Sequence, residues 1–148
     1  MVRYLEDFTP GEIIELGERS LTEEAIIAFA REYDPQPFHV DPERASESIY
    51  GGLIASGWQT VGTFMRLMVD SVLNDTISMG SPGVDQVRWL KPVRPGDTLR
   101  GRLTVGEITP SRSRPDRGTM RFRGELLNQR DEVAMTLDAL GIFGRRPE

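Results

Sequence analysis

One carboxylate and the only imidazole of the chain lie five residues apart in a proline-rich segment. Asp34 and His39 belong to the run Asp-Pro-Gln-Pro-Phe-His-Val-Asp-Pro, in which three prolines restrict the backbone. A stiff loop that presents these two groups can hold a water molecule between a base and an acid. Because histidine titrates near neutral pH, His39 can both accept and donate a proton. The spacing alone also fits a turn-capping aspartate beside an incidental histidine, and only the flanking sequence separates the two interpretations.

The composition excludes several other chemistries. The chain has no cysteine, which removes disulfides, thiolate metal sites and cysteine nucleophiles. A single histidine excludes any mechanism or zinc site that needs two. The sequence has no glycine-rich phosphate loop, no nucleophile elbow and no metal-ligand spacing. We therefore expect a reaction that needs neither a metal nor a redox cofactor.

Length and charge place further bounds on the protein. The 148 residues match one typical domain without repeats or linkers, so we expect a single domain over 1–148. The formal net charge of −5 argues against a nucleic-acid partner. No apolar run reaches the roughly 18 residues that cross a bilayer, and the N-terminus turns acidic without a signal-peptide core. We therefore expect a cytoplasmic protein without a membrane partner.

Two helices are predicted from apolar periodicity. The first begins either at a capping box of Ser20 and Glu23 or at Thr22, and it ends before Pro35 because proline disfavours helical backbone in the preceding residue. Its apolar stripe consists of Ile26, Phe29, Ala30 and Tyr33. The second helix covers about 57–73 and is apolar on most sides, which requires it to be enclosed. Its main stripe consists of Val61, Phe64, Met65, Met68 and Val72.

Five strands are predicted from alternating polarity and turn residues. The first covers 11–16, with Gly17 marking the turn after it. The other four cover 84–90, 99–105, 120–126 and 133–139, the last continuing toward Phe143. Short connections favour antiparallel pairing. The predicted order along the chain is one strand, then the helices, then four strands, which is typical of an α+β fold. An antiparallel sheet that curls around one apolar helix satisfies both patterns, which is the hotdog architecture.

Three segments of the chain resemble MaoC-like dehydratases, the R-specific enoyl-CoA hydratase family. The family's hydratase motif has the form D-x-N-P-x-H-x-D. The positions that match it are Asp34, Pro37, His39 and Asp41. Segment 52–57 resembles the entry to the family's central helix, and segment 90–99 resembles its K-P-V-x-x-G-D-T-L turn. The turn occurs across hotdog proteins and indicates the fold, whereas the first motif is the specific one.

The resemblance implies a reaction and a role for each site residue. Asp34 and His39 would activate a water for addition to the β-carbon of a trans-2-enoyl thioester and return a proton to the α-carbon, giving an R-3-hydroxyacyl thioester. The amide of Gly57 would stabilise the oxyanion, in keeping with the unpaired amides and dipole of a helix N-terminus. A second interpretation of Gly57 is close packing of the helix against the sheet.

Two positions depart from the family pattern. Gln36 stands where the motif has asparagine, so any hydrogen bond that it makes must be re-aimed. Ser56 stands where the family often has histidine. Both lie beside the reacting atoms and bear on the acyl substrate. For Ser56, helix capping is the interpretation that we favour over substrate contact.

The resemblance also implies the partners. The substrate would be an acyl thioester of coenzyme A, in preference to an acyl-carrier protein, and the protein would be a homodimer with the acyl pocket near the interface. One alternative is a hotdog thioesterase, in which a carboxylate activates water against the thioester carbonyl and His39 has little use. Another is a non-catalytic subunit that binds acyl thioesters.

A polar loop later in the chain carries three arginines, Arg112, Arg114 and Arg117. Arginine suits the phosphates of coenzyme A because its guanidinium has a fork of donors. A cluster of this kind is more often a solvated hairpin tip, and we favour that interpretation.

Several smaller features have structural interpretations. Trp58 and Trp89 could line an acyl channel, but we favour packing in the core or at an interface. Met65 and Met68 lie on the helical stripe and are expected in the core. Segment 34–57 is predicted to be mostly loop with one short turn near 42–45, which Asp41 would cap.

Overall fold

The structure, a computed structural model, describes residues 1–148 and has the predicted hotdog fold. Five antiparallel strands form one sheet in the order β1-β3-β4-β5-β2. Their bounds are β1 Ile13–Ser20, β2 Gly83–Trp89, β3 Thr98–Pro110, β4 Arg117–Leu127 and β5 Val133–Gly144. Strands β3 and β4 alternate buried and more exposed side chains, as the sequence pattern predicted, whereas in β5 the run Ala134–Leu137 is buried on both faces and alternation begins only after it.

Four helices accompany the sheet: α1 Glu23–Tyr33, α2 Pro37–Val40, α3 Pro42–Ser46 and α4 Gly57–Ser71. The long helix α4 contacts β1, β3, β4 and β5, so the sheet encloses it. The helix lies close enough to β4 that a Cβ atom at Gly124 would be 2.3 Å from the Phe64 ring. A glycine is therefore required where the helix crosses the sheet.

The core residues of α4 face the sheet, and one prediction about them is wrong. Phe64 and Met68 are buried in the main hydrophobic cluster, as the stripe predicted. Met65 is 51% exposed, whereas we expected it in the core. It borders an open apolar cavity between α4 and the sheet, which leaves half of its side chain uncovered.

At the start of the chain one prediction is wrong, and the structure decides between the two predicted starts of α1. Gly17 lies inside β1, which continues to Ser20, and it forms a bulge with φ +84° instead of the turn after the strand. Thr22, not the Ser20 capping box, begins α1: its hydroxyl accepts a hydrogen bond of 3.1 Å from the Ala25 amide. The Ser20 hydroxyl instead lies 2.7 Å from that of Thr98 on the neighbouring strand.

Segment 34–57 is more helical than predicted. It contains the short helices α2 and α3, each with a proline at its first position, where the missing amide costs nothing. Asp41 caps α3 as expected, accepting hydrogen bonds from the amides of Glu43 and Arg44. None of the helices reaches the length and hydropathy that a membrane crossing requires.

Candidate active site

A cleft of about 430 Å³ opens where α2, the first turn of α4 and the end of β2 meet. Four of the five predicted site residues line it: Asp34, Gln36, His39 and Gly57. The fifth, Ser56, is fully buried behind the cleft wall and contacts it through Asp34. The fold therefore brings all five predicted residues together.

Asp34 ends α1, and Pro35 prevents the helix from continuing. Its carboxylate receives a hydrogen bond on each oxygen. The side-chain amide of Gln36 donates to Oδ1 at 2.7 Å, and the hydroxyl of Ser56 donates to Oδ2 at 2.8 Å. The longer side chain of Gln36 thus folds back onto the carboxylate two residues earlier.

His39 is buried in α2 with both ring nitrogens engaged. Nδ1 lies 2.7 Å from the carbonyl oxygen of Ile54. Because a carbonyl only accepts, Nδ1 carries a proton and donates it to this bond. Nε2 faces Asp34 Oδ2 at 3.2 Å. The Ile54 contact therefore orients the ring and leaves Nε2 as the nitrogen that can exchange a proton.

The surroundings of Asp34 favour its ionised form. Partial burial by itself raises the pKa of this carboxyl, but the hydrogen bonds from Gln36 and Ser56 and the charge of nearby His39 outweigh that effect. The net pKa lies below the ordinary value of 3.8. At neutral pH Asp34 is a carboxylate that can accept a proton.

Ser56 performs two tasks at the start of α4. Its hydroxyl donates to Asp34 and also accepts a hydrogen bond of 3.3 Å from the Trp58 amide, which makes it the N-cap of the helix. Ser56 therefore has the capping role that we favoured, and it also contacts Asp34. Ser56 thus fixes the position of the Asp34 carboxylate relative to the start of α4.

The Gly57 amide is free to bind a ligand. It lies in the cleft at the first position of α4 and donates no hydrogen bond within the chain. The positive end of the helix dipole adds to the attraction for an oxyanion at this point. An amide in this position suits a carbonyl oxygen on which negative charge develops.

Trp89 lines the cleft, which the sequence offered as one interpretation of this residue while packing in the core or at an interface was favoured. Its indole N–H donates to the Gly57 carbonyl at 3.0 Å, and a Cβ atom at Gly57 would lie 2.3 Å from its ring. Both interpretations of Gly57 therefore hold, since it supplies an open amide and permits close packing. Trp58 meets Trp89 edge to face at 5.4 Å. The two are 60% and 47% exposed, so they line the cleft and are not in the core.

Three further cleft residues lie within or beside the family motifs. The ring of Phe38 lies 4.5 Å from that of His39 and 5.4 Å from that of Tyr50. Lys91 forms an ion pair with Glu132 at the mouth of the cleft. Hydrogen bonds from Lys91, Arg130 and Asn128 lower the pKa of Glu132 to about 2. The sequence indicated these residues only through the resemblance: Phe38 lies within the first motif, Lys91 within segment 90–99, and Tyr50 just before segment 52–57.

The three arginines of the polar loop are not part of the cleft. Arg112, Arg114 and Arg117 lie at the tip of the β3–β4 hairpin, and none of them lines the cleft. Arg117 pairs with the adjacent Asp116 at 2.9 Å. The hairpin-tip interpretation is therefore confirmed. No group of three or more histidine and carboxylate side chains in the chain is arranged to hold a metal ion.

Comparisons with known proteins identify the family of the chain. Residues 7–122 match the family described as "MaoC like domain". A crystal structure of a MaoC-like dehydratase from Rhodospirillum rubrum superimposes with a TM-score of 0.87 at 42% identity and covers 99% of both chains. An uncharacterized protein of Bacillus subtilis, YdeM, is 34% identical over 110 residues, which are 74% of this chain and 77% of that protein.

A relative with a stated activity is more distant. The 3-hydroxybutyryl-CoA dehydratase of Methylorubrum extorquens is 28% identical over 116 residues, 76% of this chain and 70% of that enzyme. The chain spans from 33% to 77% of the length of the curated relatives that it matches. The family match covers most of the chain, and the chain belongs to the MaoC-like dehydratase family.

Proposed function

We propose that this protein is an acyl-CoA hydratase/dehydratase, which adds water to a trans-2-enoyl-CoA to give an (R)-3-hydroxyacyl-CoA or catalyses the reverse reaction. One observation carries the proposal. The Asp34 carboxylate and the His39 imidazole, 3.2 Å apart, face the same cleft as the open amide of Gly57. A base, an acid and an oxyanion donor are the three groups that hydration beside a thioester carbonyl requires.

The arrangement accounts for each proton of the addition. Asp34 accepts a proton from the water whose oxygen bonds to the β-carbon. The π electrons move toward the thioester carbonyl, and the Gly57 amide stabilises the negative charge on its oxygen. The proton then passes from Asp34 to Nε2 of His39, which carries none at the start, and Nε2 donates it to the α-carbon, so both groups return to their starting state. The net change is the addition of one water across the double bond.

The family assignment supports an acyl thioester as the substrate, and the dehydratase relative acts on a coenzyme A ester by its name. We propose coenzyme A as the carrier, in preference to an acyl-carrier protein. The reaction as written needs no metal or redox cofactor. That the chain is a single domain over 1–148, and that it lies in the cytoplasm, remain predictions from the sequence.

We also propose a homodimer formed along the β2 edge of the sheet. On the opposite edge strand, β1, Ile13 is the one large apolar side chain that is exposed. The β2 edge exposes Val84 and Trp89, and Met65 of α4 adds a further exposed side chain. Two β2 strands paired across a twofold axis would cover this surface and satisfy the open edge.

The dimer is tested by light scattering on the purified protein. The expected mass is twice 16.6 kDa. Val84→Arg should shift the mass toward the monomer, because a charge would be buried in the interface. Ile13→Arg, the matched change on the opposite edge, should leave the dimer intact. A monomeric wild type would overturn the proposal.

The reaction is tested with crotonyl-CoA by following the ultraviolet absorbance of the enoyl thioester. Wild type should remove the absorbance and form 3-hydroxybutyryl-CoA. His39→Ala should lower kcat/KM by about 10³-fold, within the range for loss of a general acid or base. Free coenzyme A with nearly full activity in the variant would indicate the thioesterase alternative. Binding of the thioester without turnover, across a series of acyl groups, would indicate the non-catalytic alternative.

A further inference from the structure

Lys91 is the only lysine of the chain and the only lysine or arginine that lines the cleft. The backbone amides of Leu90 and Lys91 both donate to the Ala134 carbonyl, at 2.8 and 3.3 Å, which fixes this segment against β5. The side chain of Lys91 is 48% exposed. The cleft therefore presents one cation, and it does so where the cleft opens to solvent.

The carboxylate of Glu132 holds this cation and two further donors. It accepts hydrogen bonds from the Lys91 ammonium, from Arg130 at 2.8 Å and from the side-chain amide of Asn128 at 3.1 Å. The turn between β4 and β5 is itself fixed, because the side-chain oxygen of Asn128 accepts from the amides of Arg130 and Glu132. Glu132 is therefore an internal anion held in a defined place at the mouth of the cleft.

The donors around Glu132 suit a phosphate as well as a carboxylate. Both anions accept charge-assisted hydrogen bonds from ammonium and guanidinium groups. Two cations, Lys91 and Arg130, share this one carboxylate. If Lys91 turns to an anion from solvent, Glu132 keeps Arg130 and Asn128 as partners. The exchange leaves neither charge without a partner, so it costs little.

The carrier of the proposed substrate would bring phosphates to this place. Its thioester carbonyl would lie at the Gly57 amide, which is next to Trp89, and Lys91 follows Trp89 by two residues along the cleft wall. The pantetheine arm that follows the sulfur is uncharged. The first charged groups of the carrier are the phosphates at the far end of this arm, and the cation that they meet at the mouth is Lys91.

Resting on the proposed hydratase function, we propose that Lys91 binds a phosphate of the thioester carrier, and that Glu132 competes with the carrier for Lys91. In the free protein Lys91 is bound to Glu132. Binding of the thioester replaces this contact with one between Lys91 and a phosphate. Lys91 thereby contributes to recognition of the carrier, and Glu132 limits the affinity for the carrier in both substrate and product.

The test compares three crotonyl thioesters that differ only in the carrier: pantetheine, which has no phosphate, 4′-phosphopantetheine and coenzyme A. The readout is the ratio of kcat/KM for crotonyl-CoA to kcat/KM for crotonyl-pantetheine. Lys91→Met should lower this ratio about fivefold at low salt, the upper range for an exposed ion pair. Lys91→Arg keeps the charge and should keep the ratio close to that of wild type.

Glu132→Gln should change the ratio in the opposite direction. Its amide no longer competes for Lys91 as a carboxylate does, so the ratio should rise. An ion pair with a structural role alone is lost equally in Lys91→Met and Glu132→Gln. A ratio that falls in both variants, or changes in neither, would therefore overturn the proposal.

A matched ion pair within α4 provides the control. Arg66 and Asp70 are 2.8 Å apart, and neither lines the cleft. Arg66→Met and Asp70→Asn make the same changes of net charge and should leave the ratio unchanged. Wild type supplies a further readout that needs no variant. Its KM for crotonyl-CoA should rise with ionic strength, because salt screens exposed charges, and its KM for crotonyl-pantetheine should not.

The 4′-phosphopantetheine thioester identifies which phosphate is bound. An effect of Lys91→Met that is already present with this substrate assigns the contact to the phosphate that an acyl-carrier protein also bears. An effect present only with crotonyl-CoA assigns it to the phosphates that coenzyme A alone carries. Both results support recognition by Lys91, whereas an equal effect on all three thioesters would contradict it.

Calorimetric binding of coenzyme A itself separates this proposal from the proposed reaction. Coenzyme A cannot be hydrated, so its Kd reports the mouth of the cleft even if no enoyl thioester is turned over. Weaker binding by Lys91→Met and tighter binding by Glu132→Gln would support the phosphate contact whatever the reaction is. Equal Kd values for wild type and both variants would overturn it, and hydration of crotonyl-CoA would then still support the proposed reaction.

Discussion

Two proline-rich, charged segments of this protein look alike in sequence and differ in the fold. In the first segment His39 is buried and Asp34 is partly buried, the two contact each other, and both face one cleft. At the β3–β4 hairpin tip, Arg112 and Arg114 are exposed, and Arg117 is paired with its neighbour Asp116. Residue types alone did not separate the two. Burial of ionisable groups with shared partners in a cleft marks the functional segment.

The largest effect should come from Asp34→Asn. The amide cannot accept the proton of the water, so kcat/KM for crotonyl-CoA should fall by about 10³-fold. Asp41→Asn is the matched control in the same segment, because Asn also caps helices well and Asp41 does not line the cleft. Equal activity of both variants and wild type would show that Asp34 has no catalytic role.

A smaller but still large effect is expected at the first glycine of α4. In Gly57→Ala the new methyl group would displace the Trp89 ring, because the distance would be 2.3 Å. The oxyanion amide would move with it, and kcat should fall by about 10²-fold, the lower range for loss of such a donor.

Gly62→Ala controls for the change of residue type within the same helix. Gly62 is exposed, and nothing lies within 4 Å of a Cβ atom there. This variant should keep its activity and gain about 1 kcal/mol of stability from the better helix propensity of alanine. If the two alanine variants have the same kcat, the amide of Gly57 does not act in the reaction.

Ser56→Ala should have a moderate effect that depends on pH. Burial raises the pKa of Asp34, and the donors Gln36 and Ser56 lower it below 3.8, so the carboxylate is lost only as the pH falls through that lowered value. Without the Ser56 hydroxyl the pKa of Asp34 rises. The acid limb of kcat/KM against pH should therefore move to higher pH.

The variant also loses a helix cap, which should lower the free energy of unfolding by about 1 kcal/mol. Thr22→Ala removes the cap of α1 and should cause a similar loss of stability without moving the acid limb. A shift of the acid limb in both variants would assign it to general destabilisation and not to Asp34.

The smallest effect is expected at the hairpin tip. Arg112→Ala and Arg114→Ala should change kcat/KM for crotonyl-CoA by less than about twofold, because exposed charges far from a site contribute little. The measurement includes the dependence of KM on salt. A strong, salt-dependent rise in KM would show that these arginines bind the phosphates of coenzyme A.

Much of the fold was predictable because its signals are local. The apolar stripe of α4 and the alternation in β3 and β4 appear in the sequence with the right period, although β3 continues to Pro110, five residues beyond its predicted end. The errors concern details that local pattern does not determine. The sequence predicts a turn at Gly17, but pairing with β3 keeps this residue inside a strand. Met65 fits the apolar stripe, but an open cavity between the helix and the sheet leaves it exposed.

The candidate site divides in the same way. Asp34 and His39 lie within one short segment, so the sequence by itself determined that a carboxylate and an imidazole would be held close together by restricted backbone. The contacts that tune them come from far along the chain. Ser56 reaches Asp34 across 22 residues, Ile54 reaches His39 across 15, and Trp89 reaches Gly57 across 32. Only the tertiary structure decided these, because they depend on how the sheet packs around α4 and not on the spacing of residues along the chain.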